Sequence, residues 1–265
     1  MQPLLTEHAS LAPHRATHRT WVRITHWIGT VSFLLLLFSG IEILMVHPRL
    51  YWGEVGNDLT PALFELPISR NYHHNGWTAR QPFFTTAASP VTAGRTYDIF
   101  NHNGWGRSLH FLNAWVLVMT GVIYLLAAMY TRHLRRHLIP GQGEITFRKF
   151  TRDLVDHFRI RQAFVRGPNY GLLQKLSYCV VLFFLAPLIV LTGLTMSPAV
   201  TASCPWLLTI FSGIQSARTI HFFCSGALVL FLIVHVGMVI RSGFRRQMLA
   251  MTVESSSSVK KSRQP

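Results

Sequence analysis

Apolar residues along this chain gather in four blocks, 22–45, 109–130, 176–196 and 219–240, separated by segments in which polar, aromatic and charged residues dominate. Each block approaches or exceeds the roughly 20 residues that cross about 30 Å of hydrocarbon as a helix. Gly29, Gly40, Gly121, Gly193, Gly226, Gly237 and Pro187 fall inside the blocks, where a membrane helix tolerates them better than a soluble one. The pattern predicts four membrane-spanning helices. The first 20 residues hold no apolar core followed by a small-residue cleavage site, so the first block is expected to act as an uncleaved signal anchor.

Composition agrees with a bilayer as solvent. The 265 residues are 49% hydrophobic and only 13% charged, and the mean hydropathy is +0.29 despite 25 Lys and Arg. A net charge of +15 would suit a nucleic-acid binder if it were spread over one folded surface. It is not. Segment 1–25 carries Arg15, Arg19 and Arg23, segment 131–175 carries 10 basic residues against 3 acids, and segment 241–265 carries 6 against Glu254. The link 47–107 is nearly balanced, with 5 basic residues against Glu54, Asp58, Glu65 and Asp98, and 198–216 has none. Four helices put the three basic segments on one side, so the positive-inside rule predicts both termini in the cytoplasm. The charge is thus explained by topology, and nucleic acid is not expected as a partner. The 1–21 segment is read as cytoplasmic, and 241–265 as a cytoplasmic tail that is disordered toward its Ser- and Lys-rich end.

Three cysteines, Cys179, Cys204 and Cys224, with no C-x-x-C and no C-x-x-C-H, argue against a disulfide scaffold, a thiolate zinc site, an iron–sulfur cluster and covalent c-type haem. Cys204 and Cys224 both fall toward the outer side, and their pairing is left open. The outer link 47–107 is rich in Pro, Gly, Asn and aromatics, and contains the repeat His74-Asn-Gly-Trp77 and His102-Asn-Gly-Trp105, in which Asn-Gly reads as a tight turn. Its Trp and Tyr residues fit either a docking surface or an ordered cap with an interfacial aromatic belt. The basic link 131–175, amphipathic around 150–158, is expected along the inner leaflet.

The candidate chemistry lies in the membrane histidines. His26, His110, His221 and His235 fall within or at the ends of blocks one, two and four, and an ionisable side chain in a span is a functional hypothesis by default. His221 and His235 are 14 residues apart, so a helix puts them on one face about 21 Å apart in depth. With the N-terminus inside, His26 and His235 share the inner level, and His110 and His221 the outer. Two histidines from different helices at each of two depths suit two stacked haems, each iron held axially by two imidazoles. Without C-x-x-C-H these would be non-covalent b haems.

Arg23-Ile-Thr-His26, Arg107-Ser-Leu-His110 and Arg218-Thr-Ile-His221 repeat one spacing. An arginine at i−3 lies on the face of its histidine, one turn nearer the membrane surface, where it can meet a haem propionate or simply snorkel. Boundary snorkelling is favoured for Arg23, propionate binding for Arg107 and Arg218. His133 and His137 have i, i+4 spacing, but the arginines between them favour a membrane-surface charge cluster over a metal site. His73, His74 and His102 could line a partner or quinone site, or be solvated. Glu42, the acid inside block one, could bind protons or meet an arginine or helix end.

Four helices with histidines on the first, the second and, twice, the fourth resemble the bacterial dihaem cytochrome b superfamily, which includes the gamma subunit of formate dehydrogenase and the cytochrome b subunit of nickel–iron hydrogenase. The likeness covers about 23–240. The segments His47-Pro-Arg-Leu-Tyr-Trp-Gly53, Leu173-Gln-Lys-Leu-Ser-Tyr178, Leu191-Thr-Gly-Leu-Thr-Met-Ser-Pro198 and Gln215-Ser-Ala-Arg-Thr-Ile-His221 are similar to thiosulfate reductase cytochrome b subunits. The resemblance implies haem-ligand roles for His26, His110, His221 and His235. It also implies a place in the bacterial inner membrane and electron exchange with the quinone pool and an extracytoplasmic molybdopterin oxidoreductase. No motif for molybdopterin, nucleotide or phosphate is present, so substrate conversion would belong to another chain. The expected fold is an all-α integral membrane bundle of four helices binding two b haems. The competing function is a stand-alone membrane oxidoreductase, such as a superoxide:quinone oxidoreductase.

Overall fold

The computed structural model describes residues 19–57, 60–68, 103–134, 139–141, 146–158 and 171–252. Helices long and apolar enough to span a membrane run over Thr20–Val46, Gly104–Tyr130, Leu172–Thr195 and Ile214–Arg241. The first is α1 (Thr20–Val46) and the second lies in α2 (Asn103–Tyr130). A short amphipathic helix α3 (Phe147–Phe158) precedes the third span, which is built of α4 (Leu172–Val180), a π-helical turn (Val181–Leu185) and α5 (Ala186–Thr195). The short helices α6 (Pro198–Ser203) and α7 (Trp206–Ile210) lead to the fourth span, α8 (Ile214–Arg241), and α9 (Phe244–Thr252) follows. Below, the end bearing His110 and His221 is called outer, following the charge argument.

The polarity of the bundle is inverted relative to a soluble protein, because lipid replaces water outside. Ile24, Ile28, Val31, Leu34, Leu112, Ile123, Leu230 and Ile233 are exposed, whereas Ser32, Ser39, Glu42, Asn113, Thr120, Thr192, Thr195 and Thr219 are buried. Several inward hydroxyls donate to the carbonyl one turn back, as Thr120 does to Val116 at 2.7 Å and Thr195 to Leu191 at 2.8 Å. Such bonds satisfy the group without an outside partner. Helices pair as α1 with α2 and as α5 with α8. Close approach in the first pair depends on Gly106, where an added Cβ would sit 3.2 Å from Cβ of Glu42.

The π-helical turn has a local cause. Pro187 follows it within the first turn of α5, lacks an N–H and crowds the preceding turn, so the helix loosens its register there. The Cys224 thiol of α8 donates to the carbonyl of Leu185 at 3.3 Å, within this loosened turn. Cys204 and Cys224 form no disulfide.

Each span begins 2 to 5 residues before its apolar block, because a helix does not stop where hydrocarbon does, and Arg23, Arg107 and Arg218 are helical, as their i−3 spacing to histidine requires. One expectation needs correction. Asn103-Gly104 of the second repeat copy opens α2 instead of forming a tight turn. The first copy lies outside the described residues, as do His73, His74, His102, His137 and the tail beyond 252. The start of the basic tail is helical, and α9 docks against α1 through Trp27 Nε1, which donates to the Met251 carbonyl at 3.1 Å.

The outer end is capped. Arg49–Leu50 (β1) pairs antiparallel with Phe64–Glu65 (β2), and the strap after β1 lies against the start of α8. Gly53 accepts from the backbone N–H groups of Gln215 and Ser216 at 3.0 and 3.3 Å, supplying acceptors for helix donors that lack an intrahelical partner. Its own N–H donates to Ser216 Oγ at 2.6 Å. Gly213 makes this approach possible, since it adopts φ 106° and ψ 170° and a Cβ there would lie 2.5 Å from the Gly53 carbonyl oxygen. Leu207, Phe211 and Ala217 form the small core beneath α6 and α7.

Candidate haem-binding site

The four histidines expected to act together form two facing pairs. His110 of α2 and His221 of α8 have ring centres 6.2 Å apart with planes at 58°. His26 of α1 and His235 of α8 have centres 6.3 Å apart at 49°. On α8 the 14-residue separation of His221 and His235 sets the pairs about 21 Å apart in depth.

The spacing within each pair has a chemical meaning. A metal–imidazole bond is about 2.0–2.1 Å and a ring centre lies about 1.1 Å behind its ligating nitrogen, so two imidazoles on opposite sides of one metal have centres about 6.2–6.4 Å apart. The gap accommodates a metal, although centres 6.2 Å apart also occur in ordinary ring packing, as between Tyr178 and Phe231. Among the described residues no three of His, Cys, Asp and Glu converge as a bare metal ion would need. Paired histidines suit a metal whose remaining four ligands come from a macrocycle, as in haem.

The rings are held by different surroundings. At the outer pair, His110 Nδ1 lies 3.1 Å from Ser39 Oγ and His221 Nδ1 lies 3.0 Å from Thr192 Oγ1. Gly40 and Gly193 stand beside these rings, where an added Cβ would be 3.6 and 3.5 Å from Cε1 of His110 and His221. Bare backbone at both points leaves the carbon next to Nε2 clear of side chains. At the inner pair, Phe231 stacks on His235 with centres 5.9 Å apart and planes at 20°, and Trp27 meets His26 edge-on at 5.5 Å.

Arg107 is exposed and Arg218 half-buried at the outer end, each one turn from its histidine. Arg107 borders an open recess with Gly104, Ser108 and Phe111. His47, which follows α1, is held below its usual pKa of 6.5 by loss of solvation and then by the charges of Arg218 and Arg107. Two cationic side chains, Arg107 and Arg218, thus gather at the outer end, with His47 beside them favoured in its neutral form. Arg23, half-buried at the other end, reaches Thr20 Oγ1 at 3.4 Å, and His133 meets Trp21 edge-on at 5.6 Å.

Residues 17–253 match the model for prokaryotic cytochrome b561. The chain belongs to this family. A putative protein-methionine-sulfoxide reductase subunit, YedZ1, of Azospira oryzae is 27% identical over 226 residues, 84% of this chain and 90% of that protein. No solved structure matches. The family and the four spans identify a multi-pass bacterial membrane protein of the b-type haem, electron-transport class.

Sequence reasoning missed Ser39, Gly40, Thr192 and Gly193 as site residues. A hydroxyl residue followed by glycine occurs in each of the four apolar blocks, as Ser39-Gly40, Thr120-Gly121, Thr192-Gly193 and Ser225-Gly226, so the pattern does not single out the two that meet histidines. Nothing in one block says which ring of another it will face.

Proposed function

We propose that the protein is a dihaem cytochrome b subunit passing electrons across the membrane between the quinone pool and an extracytoplasmic redox partner. His26 and His235 would hold the iron of the inner haem, and His110 and His221 that of the outer. The observation carrying this reading is the recurrence, at two depths, of an inter-imidazole gap suited to one iron. Haem supplies one-electron chemistry when bound; the chain contributes imidazole ligands, their orientation, nearby charge and exclusion of water. Arg107 and Arg218 are assigned to the outer haem's propionates, and Arg23 to boundary anchoring. The partner would be the substrate-converting chain of a reductase, as the name of the Azospira oryzae relative suggests, with a molybdopterin enzyme as the specific proposal.

Stopped-flow absorbance of the haem bands tests the reading. Quinol should reduce the haems of the purified protein, and an extracytoplasmic redox partner protein should reoxidise them rapidly. Haems that quinol cannot reduce, or that no partner protein reoxidises faster than buffer does, would refute it.

A further inference from the structure

The two outer histidines are approached by matching arrangements from two different helices. On α1, Leu36, Ser39 and Gly40 face His110; on α5, Ile189, Thr192 and Gly193 face His221. The carbonyl, the hydroxyl and the bare Cα recur at identical spacing. The α1–α2 and α5–α8 pairs therefore present their histidines in equivalent ways, although the sequences of the modules differ.

The hydroxyl bonds favour one tautomer of each outer histidine. Ser39 Oγ lies 2.7 Å from the Leu35 carbonyl oxygen and 3.2 Å from that of Leu36. Thr192 Oγ1 lies 2.8 Å from the Leu188 carbonyl oxygen and 3.1 Å from that of Ile189. Each hydroxyl has one proton, and with a carbonyl oxygen, which can only accept, at 2.7 and 2.8 Å, that proton is best placed between the two oxygens. The hydroxyl oxygen then has only lone pairs to offer the imidazole. The Leu36 and Ile189 carbonyls, which also only accept, bond the same two rings, so the geometry points to a hydrogen on Nδ1 and a lone pair on Nε2 that a metal requires.

We propose that Ser39 and Thr192 are positioning residues for the outer haem, sharing with the Leu36 and Ile189 carbonyls the Nδ1 hydrogens of His110 and His221 so as to fix tautomer and ring orientation. This rests on the assignment of His110 and His221 as ligands of one haem. An accepted Nδ1–H bond increases the electron-donating power of the imidazole. Stronger donation favours the ferric state and lowers the haem's potential. The effect would be confined to the outer haem, because the inner pair is about four helical turns away.

The test uses purified full-length protein carrying Ser39→Ala, Thr192→Val or both, with a redox titration resolving the two haems and electron paramagnetic resonance of the ferric protein. Each replacement should raise the outer haem's midpoint potential and shift its low-spin signal, with the larger change in the double variant and the inner haem unaffected. A tenfold change in the ferric-to-ferrous ratio at fixed potential, about 59 mV for one electron, is the expected order for the double variant. Ser39→Thr and Thr192→Ser keep an acceptor oxygen and should restore both readouts, including where the first variants lose haem. An unchanged outer potential and signal with both haems retained would overturn the positioning role while leaving the ligand assignment intact. Haem loss that the conservative variants do not reverse would also overturn it, pointing to packing alone. Retention of both haems in His110→Ala and in His221→Ala would instead defeat the ligand assignment beneath it.

Discussion

The Thr219 hydroxyl donates to the Tyr51 carbonyl at 2.6 Å, across 168 residues of chain. The bond ties the outer strap to α8 between Arg218 and His221, so the part of the link following α1 helps to fix the outer pair. Thr219 is buried, and Thr219→Val would leave the Tyr51 carbonyl without that donor, costing about 1–3 kcal/mol. Gly213→Ala combines a Cβ at 2.5 Å from the Gly53 oxygen with backbone strain of about 1–3 kcal/mol. Both should lower the thermal midpoint in detergent, Gly213→Ala by more. An unchanged midpoint in both would show that the strap does not stabilise the fold.

The ligand assignment predicts selective loss of haem. His26→Ala or His235→Ala should remove the inner haem, and His110→Ala or His221→Ala the outer. A pyridine haemochrome assay should fall from about two haems per chain to about one, with redox spectra identifying the survivor. Four variants that each retain both haems would eliminate the assignment.

How far this arrangement was legible depended on whether one helix sufficed to define it. The shared face of His221 and His235 follows from helical periodicity, and their depths follow from charge bias and block order. Pairing across helices required only that the other two histidines each sit at the start of a block, since blocks one and two cross the membrane in opposite directions. The contacts of Ser39, Thr192, Gly40 and Gly193 were hidden because they depend on helix rotation and closeness, which apolar blocks specify weakly. The Asn-Gly reading failed at Asn103-Gly104 because helix continuation outweighed local turn preference.

The arginines predict an asymmetry between the haems. Arg107→Ala or Arg218→Ala should lower the outer haem's potential, because a nearby positive charge favours the added electron, and should move the inner haem much less. Half-buried Arg218 should have the larger effect, since exposed Arg107 is more strongly screened. Equal or absent shifts of the two haems in a redox titration would return both arginines to boundary anchoring.

His47 predicts a pH dependence of stability. Its folded pKa is depressed by desolvation, then by Arg218 and Arg107, from 6.5. As pH falls below the unfolded value, the unfolded chain takes up the proton first, so stability is lost from about 6.5 downward until the folded value is passed. His47→Asn removes this contribution. The difference between the thermal midpoints of the two proteins should therefore change across that acidic window and stay constant above it. A constant difference over the whole range would show that His47 is not linked to folding.

The last prediction concerns the exit of electrons toward a partner. The link 47–107 divides into a structural portion and a portion open to another role. The strap and the β1–β2 pair lie within 47–68 and hold the outer end of the bundle. Residues 71–98 include Tyr72, Trp77, Phe83, Phe84 and Tyr97, side chains of the kind that dominate interface hot spots. Replacing 71–98 by a short Gly-Ser linker therefore separates the two contributions. Quinol reduction of the haems should keep its rate, while reoxidation by the partner protein should slow at least tenfold, about 1.4 kcal/mol of lost interaction. The two steps are followed separately by stopped-flow absorbance, with the haem content of the variant confirming that the bundle survives. If reoxidation proceeds unchanged and needs no protein acceptor, the docking role of the link fails. Rapid haem reduction by superoxide in the same apparatus would then favour a stand-alone superoxide:quinone oxidoreductase, for which the cationic Arg107 and Arg218 would serve to attract the anion.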